Sequence, residues 1–226
     1  MLSSEEWQAI SLSVQLAFNV VVLLLIGATP LAWWLSQRNH FVSRCVSAIV
    51  ALPLVLPPTV IGFYFLIAFG PQGPIGSFTE YAGIASFAFS YKGLVLASMV
   101  YSLPFVVQPL QNAFQSIDRI QLDAATMLGA GPIDRFFNLV IPLAKSGFVS
   151  AFILGFAHTI GEFGVVLMIG GSMPGETKVV SIQIYEHVES LQYARAHLLS
   201  ALMLVFSFVV LLAVYGRGRH TNISAS

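Results

Sequence analysis

Long apolar runs separated by short polar segments dominate the chain. A helix that crosses roughly 30 Å of hydrocarbon needs about 20 mostly apolar residues. Five segments meet this requirement, at residues 12–35, 46–69, 93–114, 147–169 and 198–215. The pattern therefore predicts an all-α integral membrane protein, with five transmembrane helices in a single domain over residues 1–226.

The basic residues between these segments predict the orientation, because cytoplasmic loops carry an excess of Lys and Arg. On one side lie Arg38, Arg44, Arg119, Arg135, Lys145, Arg217 and Arg219. The other side has Lys92, Lys178 and Arg195. The N-terminus is therefore expected in the periplasm, and the C-terminus and the loop at 117–145 in the cytoplasm.

Composition agrees with a membrane protein and excludes several other classes. The 226 residues are 57% hydrophobic and 9% charged, and ten basic and ten acidic residues give a formal net charge of zero. Membrane lipid is the expected surrounding, and a nucleic-acid partner is not expected. The single Cys45 cannot form an intrachain disulfide, and no Cys/His cluster has metal-ligand spacing, so we predict no metal site.

Prolines fall within two of the predicted helices. Pro53, Pro57 and Pro58 fall in the second segment, and Pro104 and Pro109 in the third. Each proline removes a backbone hydrogen bond, which hydrocarbon does not replace. Helices that line a polar pathway tolerate such breaks, and so do helices that are merely kinked by packing. We take Pro57 and Pro58 as candidates for the pathway.

The cytoplasmic stretch LDAATMLGAGPIDRFFNLVIPLA, residues 122–144, predicts two short helices. Asp118 can cap the first helix and Gly129 can end it, whereas Pro132 suits the start of the second and Pro142 its end. In the second helix Ile133, Phe136, Phe137 and Val140 share one face. Such a short helix is marginal unless this face packs on something. The alternatives for this face are the chain's own helix ends, the lipid interface and a separate soluble protein.

The spacing within this stretch resembles the EAA loop of ABC importer membrane subunits. Asp123-Ala124-Ala125 is followed after three residues by Gly129, and after nine more by Leu139-Val140-Ile141-Pro142. The resemblance implies the type I ABC importer permease fold and a coupling helix at 132–140, seated in a cleft of a separate ATPase subunit. The coupling residues it implies are Asp123, Ala124, Ala125, Gly129, Pro132, Ile133, Arg135, Phe136, Phe137 and Pro142.

The chain has no phosphate-binding loop of the form G-x-x-x-x-G-K-[ST]. We therefore expect it to bind no cofactor and to be no enzyme, with ATP and Mg²⁺ held by the partner ATPase.

The stretch GFAHTIGEFGVVLMIGGSMPG, residues 155–175, resembles the molybdate and sulfate importer permeases. The short five-segment layout is more similar to the molybdate branch. The resemblance implies an oxyanion importer of the bacterial inner membrane, for molybdate first, with tungstate and sulfate or thiosulfate as alternatives. A secondary transporter or an intramembrane enzyme is the alternative from another class, but the chain shows no repeat and few ionisable residues within its apolar segments.

Those ionisable residues are Glu162 and His158, four positions apart and predicted to share one helical face. An ionisable residue at this depth normally faces the bundle interior or a cavity. A carboxylate repels an oxyanion, so Glu162 is expected to hydrogen-bond neighbouring helices near the pathway or gate. A purely structural pair is the alternative. No Lys or Arg falls within the five segments, and selectivity is therefore expected to come from a periplasmic binding protein.

The outer loop from Lys178 to Leu191 predicts a short helix that rests at the mouth of the pathway on one apolar face, formed by Val180, Ile184, Val188 and Leu191. Lys178, Glu186 and Glu189 are candidates for docking the binding protein, and a solvated face is the alternative reading. Because five helices enclose too little for a gated route, we expect a homodimer around a two-fold axis, joined by two ATPase subunits.

Overall fold

The computed structural model describes residues 2–83 and 85–217, and within these ranges the regular secondary structure is helical. The α-helices are α1 (Ser4–Gln37), α2 (Phe41–Ala51), α3 (Pro58–Phe69), α4 (Pro74–Tyr81), α5 (Tyr91–Gln115), α6 (Arg119–Met127), α7 (Pro132–Arg135), α8 (Ile141–Leu143), α9 (Lys145–Ile160), α10 (Gly164–Gly170), α11 (Val180–Glu189) and α12 (Tyr193–Arg217). A short 3₁₀ turn, Leu52–Leu54, follows α2, and a π-helical turn, Phe136–Val140, joins α7 to α8.

Three helices are individually long and apolar enough to cross a membrane: α1, α5 and residues 193–212 of α12. They contain the first, third and most of the fifth predicted segments. Two further pairs pass the same test only together, because each is bent at a short break. The described residues thus hold three to five candidate membrane helices, depending on whether each bent pair counts as one.

The second predicted segment, 46–69, is not one continuous helix, and this expectation is corrected. The pieces Phe41–Leu54 and Pro58–Tyr81 meet at 105°. Pro57 has extended backbone, with φ −55° and ψ 136°, and Pro58 begins α3. A proline at the first helical position lacks only an N–H that would be unpaired anyway, so the chain bends here without losing helical bonds in α3.

The fourth predicted segment, 147–169, is also two helices. The first, α9, ends at Ile160, and α10 begins at Gly164. Gly161 closes α9 by donating its N–H to Ala157 O, and Glu162 therefore lies in the break. His158 and Glu162 do not share a face of one helix, which corrects the sequence-based expectation. At its start α9 meets the preceding helical segment, Pro132–Leu143, at 68°.

The core forms where α1, α5 and α9 pack together. Buried apolar residues of α1 and α5, such as Leu16, Val20 and Val106, meet in this core. Gly155 lets α9 approach closely, since a Cβ there would lie 2.7 Å from Val106 Cγ2. In contrast, α12 leaves apolar residues such as Phe208 exposed. Apolar exposure on an apolar helix is typical of a surface covered by lipid or by another membrane helix.

Candidate functional site

A cleft of about 530 Å³ opens where the two broken helices meet. Its lining includes Pro58 and Thr59 at the start of α3, Tyr101 from α5, and His158 and Glu162 from the end of α9 and the break after it. The structure therefore brings together three of the four predicted pathway residues. The fourth, Pro57, is exposed at the bend and does not line this cleft.

Two glycines allow α3 and α10 to pack this closely. A Cβ on Gly164 would lie 2.7 Å from Pro58 Cβ, which is too close for any other residue without movement. Likewise, a Cβ on Gly62 would lie 2.7 Å from Met168 Cβ. The first turn of α10 can therefore sit directly against α3, and the break in the fourth segment lies beside the break in the second.

His158 is held by its neighbours on α5. Its ring stacks on Phe105 with ring centroids 3.8 Å apart, and Tyr101 lies 4.9 Å away. Ser102 Oγ is 3.0 Å from His158 Nδ1 and 2.9 Å from Thr159 Oγ1. These contacts fix the imidazole orientation without involving Glu162, so the two residues share a cleft but do not form a hydrogen-bonded pair.

Glu162 is in an unusual environment. The residue is 4% exposed, and neither carboxyl oxygen has a hydrogen-bond partner among the described residues. The expected hydrogen bonds from this carboxyl group to neighbouring helices are therefore not made among the described residues, and the buried Ser98 Oγ of α5 is also without a partner there. The main chain is well anchored, because Ser181 Oγ of α11 donates to Glu162 O at 2.6 Å. Helix α11 is thus directly bonded to the break that carries this carboxyl group.

The predicted outer helix is present as α11, but it buries a different face from the one expected. Val180 is buried as predicted, whereas Val188 and Leu191 are exposed and Gln183 and His187 are buried. The periodicity of apolar residues failed here because polar partners lie beneath the helix. His187 Nε2 is 3.1 Å from Glu6 Oε1, and Gln183 Nε2 is 3.2 Å from His187 Nε2.

This polar cluster centres on Glu6, which sequence reasoning did not single out. Glu6 is 1% exposed and accepts a hydrogen bond from Ser3 N–H at 2.6 Å. Arg195, at the start of α12, donates to Glu6 Oε1 at 3.2 Å. One carboxylate therefore ties α1 to α11 and α12. Partners 181 and 189 positions away leave no local signal in a sequence.

The three residues predicted to dock the binding protein differ in how accessible their charges are. Lys178 Nζ lies 2.7 Å from Glu186 Oε2 and the lysine side chain is largely buried, so its charge is already paired. Burial alone would raise the pKa of Glu186, but hydrogen bonds from Lys178 and Ser172 outweigh it and lower the pKa. Glu189 is exposed and accepts a hydrogen bond from Tyr185 Oη at 2.6 Å. Of the three, Glu189 offers the most accessible charge.

In the loop at 117–145, the first short helix forms as predicted. Asp118 Oδ1 accepts from Ile120 N–H at 2.9 Å at the start of α6. Gly129 ends the turn with φ +87°, a left-handed conformation that favours glycine. Asp123 and Ala124 are exposed on α6, and Ala125 is half-buried.

The second short helix of this loop departs from the prediction at its C-terminal end. It begins at Pro132 as expected, but Pro142 does not end it, because helical structure continues to Leu143 and then bends into α9. In the π-helical turn, Ile141 N–H bonds to Phe136 O. Pro142 then stands in the first turn of a new helical segment, where its missing N–H costs little.

The apolar face of this segment is divided between two environments. Phe136 packs against Trp33 and Phe114 of its own subunit, with ring centroids 5.8 and 6.5 Å apart. Ile133 and Phe137, however, are 75% and 60% exposed. Phe136 therefore packs on its own subunit, as one of the alternatives raised by the sequence has it, whereas Phe137 remains exposed.

The exposed apolar surface extends beyond the predicted coupling residues. Met127 and Leu128, at the end of α6, are each 89% exposed and lie beside Gly129. Arg135 links the two halves of the loop by donating to Thr126 Oγ1 and, at 3.5 Å, to Leu122 O. We call Met127, Leu128, Ile133 and Phe137 the loop patch. Two large apolar residues directly before a helix-ending glycine, outside the apolar segments, were the available signal for it.

The helical bundle has broken helices around a cleft and a helical loop with exposed apolar residues. Membrane subunits of one class of transporter share this architecture. The same fold occurs in a crystal structure of a bacterial alginate ABC transporter, in complex with an alginate pentasaccharide-bound periplasmic protein. The TM-score is 0.75 at 15% identity, covering 99% of this chain and 82% of that one. The fold is thus that of an ABC importer permease.

Sequence comparison places the chain within this class. Residues 28–217 match the family described as binding-protein-dependent transport system inner membrane component, and the chain belongs to that family. It is 54% identical over 218 residues to the molybdenum transport system permease protein ModB of Azotobacter vinelandii, covering 96% of both chains. The identity to the ModB protein of Haemophilus influenzae is 36%, covering 82% of this chain and 81% of that one.

Membership of this family establishes location and class. The chain is a multi-pass protein of the inner membrane and the permease component of an ABC transporter. It is a non-catalytic subunit, because ATP hydrolysis belongs to a separate subunit in transporters of this class.

Proposed function

We propose that this chain is the permease subunit of an ATP-driven importer for an oxyanion, and that the oxyanion is molybdate. The observation that carries the proposal is the 54% identity to a molybdenum transport permease over nearly the whole of both chains. Tungstate and sulfate or thiosulfate are chemically similar tetrahedral anions and remain the substrates to exclude by experiment.

The proposed topology has five membrane crossings in a single domain over residues 1–226. In this arrangement α1, α5 and α12 cross individually, the bent pair of Phe41–Leu54 and Pro58–Tyr81 contributes one crossing, and α9 together with α10 contributes another. The start of α1 lies in the periplasm, together with α11. The loop at 117–145 lies in the cytoplasm, as do Arg38, Arg44 and Arg119. Residues 218–226, with Arg219 of the basic count, lie outside the described residues.

The loop patch is the proposed contact with the ATPase subunit. A soluble loop that exposes several large apolar residues together is typical of a protein interface. Ile133 and Phe137 are positioned to enter a cleft of the partner. Arg135 holds the two halves of the loop together through its hydrogen bonds to Thr126 and Leu122. Asp123, Ala124 and Ala125 lie on α6, in the other half of the loop. ATP and Mg²⁺ bind to the partner and not to this chain. Two copies of the chain, with two ATPase subunits, make up the membrane complex.

A periplasmic binding protein is proposed to dock over α11. The exposed residues there include Glu189 together with the apolar Val188 and Leu191. Lys178 and Glu186 act indirectly, since their ion pair fixes the position of α11. Because Ser181 bonds the helix to the main chain of Glu162, a docked protein that moves α11 also moves the break in the pathway.

The proposed pathway runs through the cleft at Pro58, His158 and Glu162, with Pro57 as the bend that lets α3 move. ATP binding draws the two ATPase subunits together, and the attached loops turn the helical bundles as rigid bodies. The anion delivered by the binding protein then leaves on the cytoplasmic side. Such a transition requires that ATP bind the two states with different affinity.

Uptake by reconstituted vesicles tests this function. The permease and its ATPase are reconstituted in proteoliposomes with ATP and the ATPase subunits in the lumen, and the binding protein is added outside. The uptake of labelled molybdate, tungstate and sulfate is then compared. The proposal predicts ATP-dependent uptake in which molybdate competes effectively against sulfate. Uptake driven by an ion gradient without ATP would support a secondary transporter instead, and a preference for sulfate would overturn the substrate assignment.

A further inference from the structure

Glu162 lines the proposed pathway, and its buried carboxyl oxygens lie beside no cation that would balance a negative charge among the lining residues that the structure describes. It is 4% exposed and lines the cleft between α3, α5 and the end of α9. Both oxygens lack a hydrogen-bond partner among the described residues. A buried ionised carboxylate without a cation or hydrogen-bond donors is strongly unfavourable, whereas the neutral acid needs only one acceptor.

The surroundings of the cleft offer no charge compensation. From α5 the titratable residue that lines it is Tyr101, and from α9 it is His158, whose Nδ1 is engaged by Ser102. The residues from α3 are Pro58 and Thr59, which do not titrate. The α11 contact, through Ser181, reaches only the main-chain oxygen of Glu162. None of the described lining residues is a Lys or Arg.

A neutral carboxylic acid has a property that a carboxylate lacks, because its O–H can donate a hydrogen bond to an anion. The ionised form in the same place would repel an oxyanion. A fixed cation would bind the anion strongly and delay its release. A neutral donor avoids both problems, since it recognises the anion through an O–H···O⁻ hydrogen bond without adding a charge.

We propose that Glu162 is protonated in the working transporter and that its O–H is a specificity-determining hydrogen-bond donor to the tetrahedral oxyanion in the cleft. Other neutral donors, the hydroxyls of Thr59 and Tyr101, line the same cleft. The proton stays on Glu162 throughout, so no bond is broken and no proton is transported with the anion. This inference rests on the proposed function, since it assigns a role within the pathway of an oxyanion importer.

Two substitutions of similar size distinguish whether transport requires a hydrogen-bond donor or a negative charge at position 162. Glu162→Gln keeps a neutral group that donates hydrogen bonds, and Glu162→Leu removes the donor. In proteoliposomes containing the ATPase and the binding protein, we expect the Gln variant to retain molybdate uptake within about threefold of wild type. We expect the Leu variant to lose about 10- to 100-fold, as for the loss of one hydrogen bond to a charged group.

The pH profile provides a second readout, with the same pH on both sides of the membrane. Alkaline pH should lower uptake by the wild type as Glu162 ionises, and the ratio of Gln-variant to wild-type uptake should therefore rise. An infrared difference spectrum between wild type and Glu162→Gln should show the carbonyl stretch of a protonated carboxylic acid. A carboxylate band at neutral pH would overturn the proposal.

The remaining outcomes are also decisive. Stimulation of ATP hydrolysis by the binding protein reports whether each variant assembles. An assembled Gln variant that is as inactive as the Leu variant would overturn the proposal, because the negative charge would then be required. An assembled Leu variant that transports like wild type would overturn it as well. Failure of the wild type itself to import any oxyanion with ATP would instead count against the proposed function.

Discussion

Substitution of Phe137 by alanine should weaken binding of the ATPase subunit without unfolding the permease. A phenylalanine side chain buries about 150–250 Å² when fully covered, and Phe137 is 60% exposed in the isolated chain. The area left for a partner is therefore about 90–150 Å². At about 25 cal/mol per Å², and allowing for the Cβ that alanine retains, the loss is about 2–3 kcal/mol. This corresponds to roughly 30- to 150-fold weaker binding.

The neighbouring Phe136 provides a matched control. It has the same side chain one position earlier, but it packs against Trp33 and Phe114 of its own subunit. Phe136→Ala should therefore lower the stability of the permease, by about 2–3 kcal/mol for a partly buried phenylalanine. It should change the affinity for the ATPase much less than Phe137→Ala does.

Both effects can be measured on detergent-purified permease. The ATPase subunit is titrated onto each variant to obtain a dissociation constant, and thermal denaturation gives the stability. The reasoning predicts opposite patterns for the two variants. Equal affinity of wild type and Phe137→Ala for the ATPase would refute it, provided that the variant denatures at the wild-type temperature.

Three further perturbations test the packing and the outer cluster. Gly62→Val should destabilise the protein by about 1–3 kcal/mol in thermal denaturation, because the added atoms collide with Met168, and a neutral effect would contradict the close packing. Glu186→Gln should abolish the stabilisation given by its lowered pKa. That stabilisation is present above the ordinary glutamate pKa and is lost as the pH falls through the lowered value, so variant and wild type should converge in stability in acid. Glu6→Leu removes a buried carboxylate that pairs with a histidine and an arginine from two other helices. The free energy of unfolding should fall by about 2–3 kcal/mol, and an unchanged denaturation temperature would show that the Glu6 cluster does not stabilise the packing of these helices.

Much of the helical organisation could be predicted from apolar runs, because a membrane-crossing helix requires a long stretch of apolar residues. The first, third and fifth segments lie within single helices, α1, α5 and α12. The second and fourth segments are equally apolar, yet each is divided. Apolar length does not reveal a break, and proline alone is no sure sign of one: Pro57 and Pro58 mark the bend before α3, whereas α5 continues unbroken through Pro104 and Pro109. The break after Ile160 lies where Gly164 packs against Pro58 of α3, and no local pattern encodes that contact.

The site residues show the same difference between local signals, which the sequence reveals, and long-range contacts, which it does not. Local chemistry was sufficient for the cap at Asp118 and the left-handed Gly129, because both depend on neighbouring backbone. The contact of Phe136 with Trp33 joins residues about a hundred positions apart, so periodicity grouped Phe136 with Phe137 although their environments differ. Glu6 was missed for the same reason, since its partners lie near the other end of the chain.

The most direct test of the account is a photo-crosslinking measurement in membranes that contain the assembled transporter. A photoreactive amino acid replaces Phe137 in one variant and Phe208, on the exposed face of α12, in the other. The account predicts that position 137 crosslinks to the ATPase subunit and that position 208 does not. Crosslinks from position 137 only to lipid or to its own chain, in a complex that still hydrolyses ATP, would contradict the claim that this loop couples the permease to its ATPase.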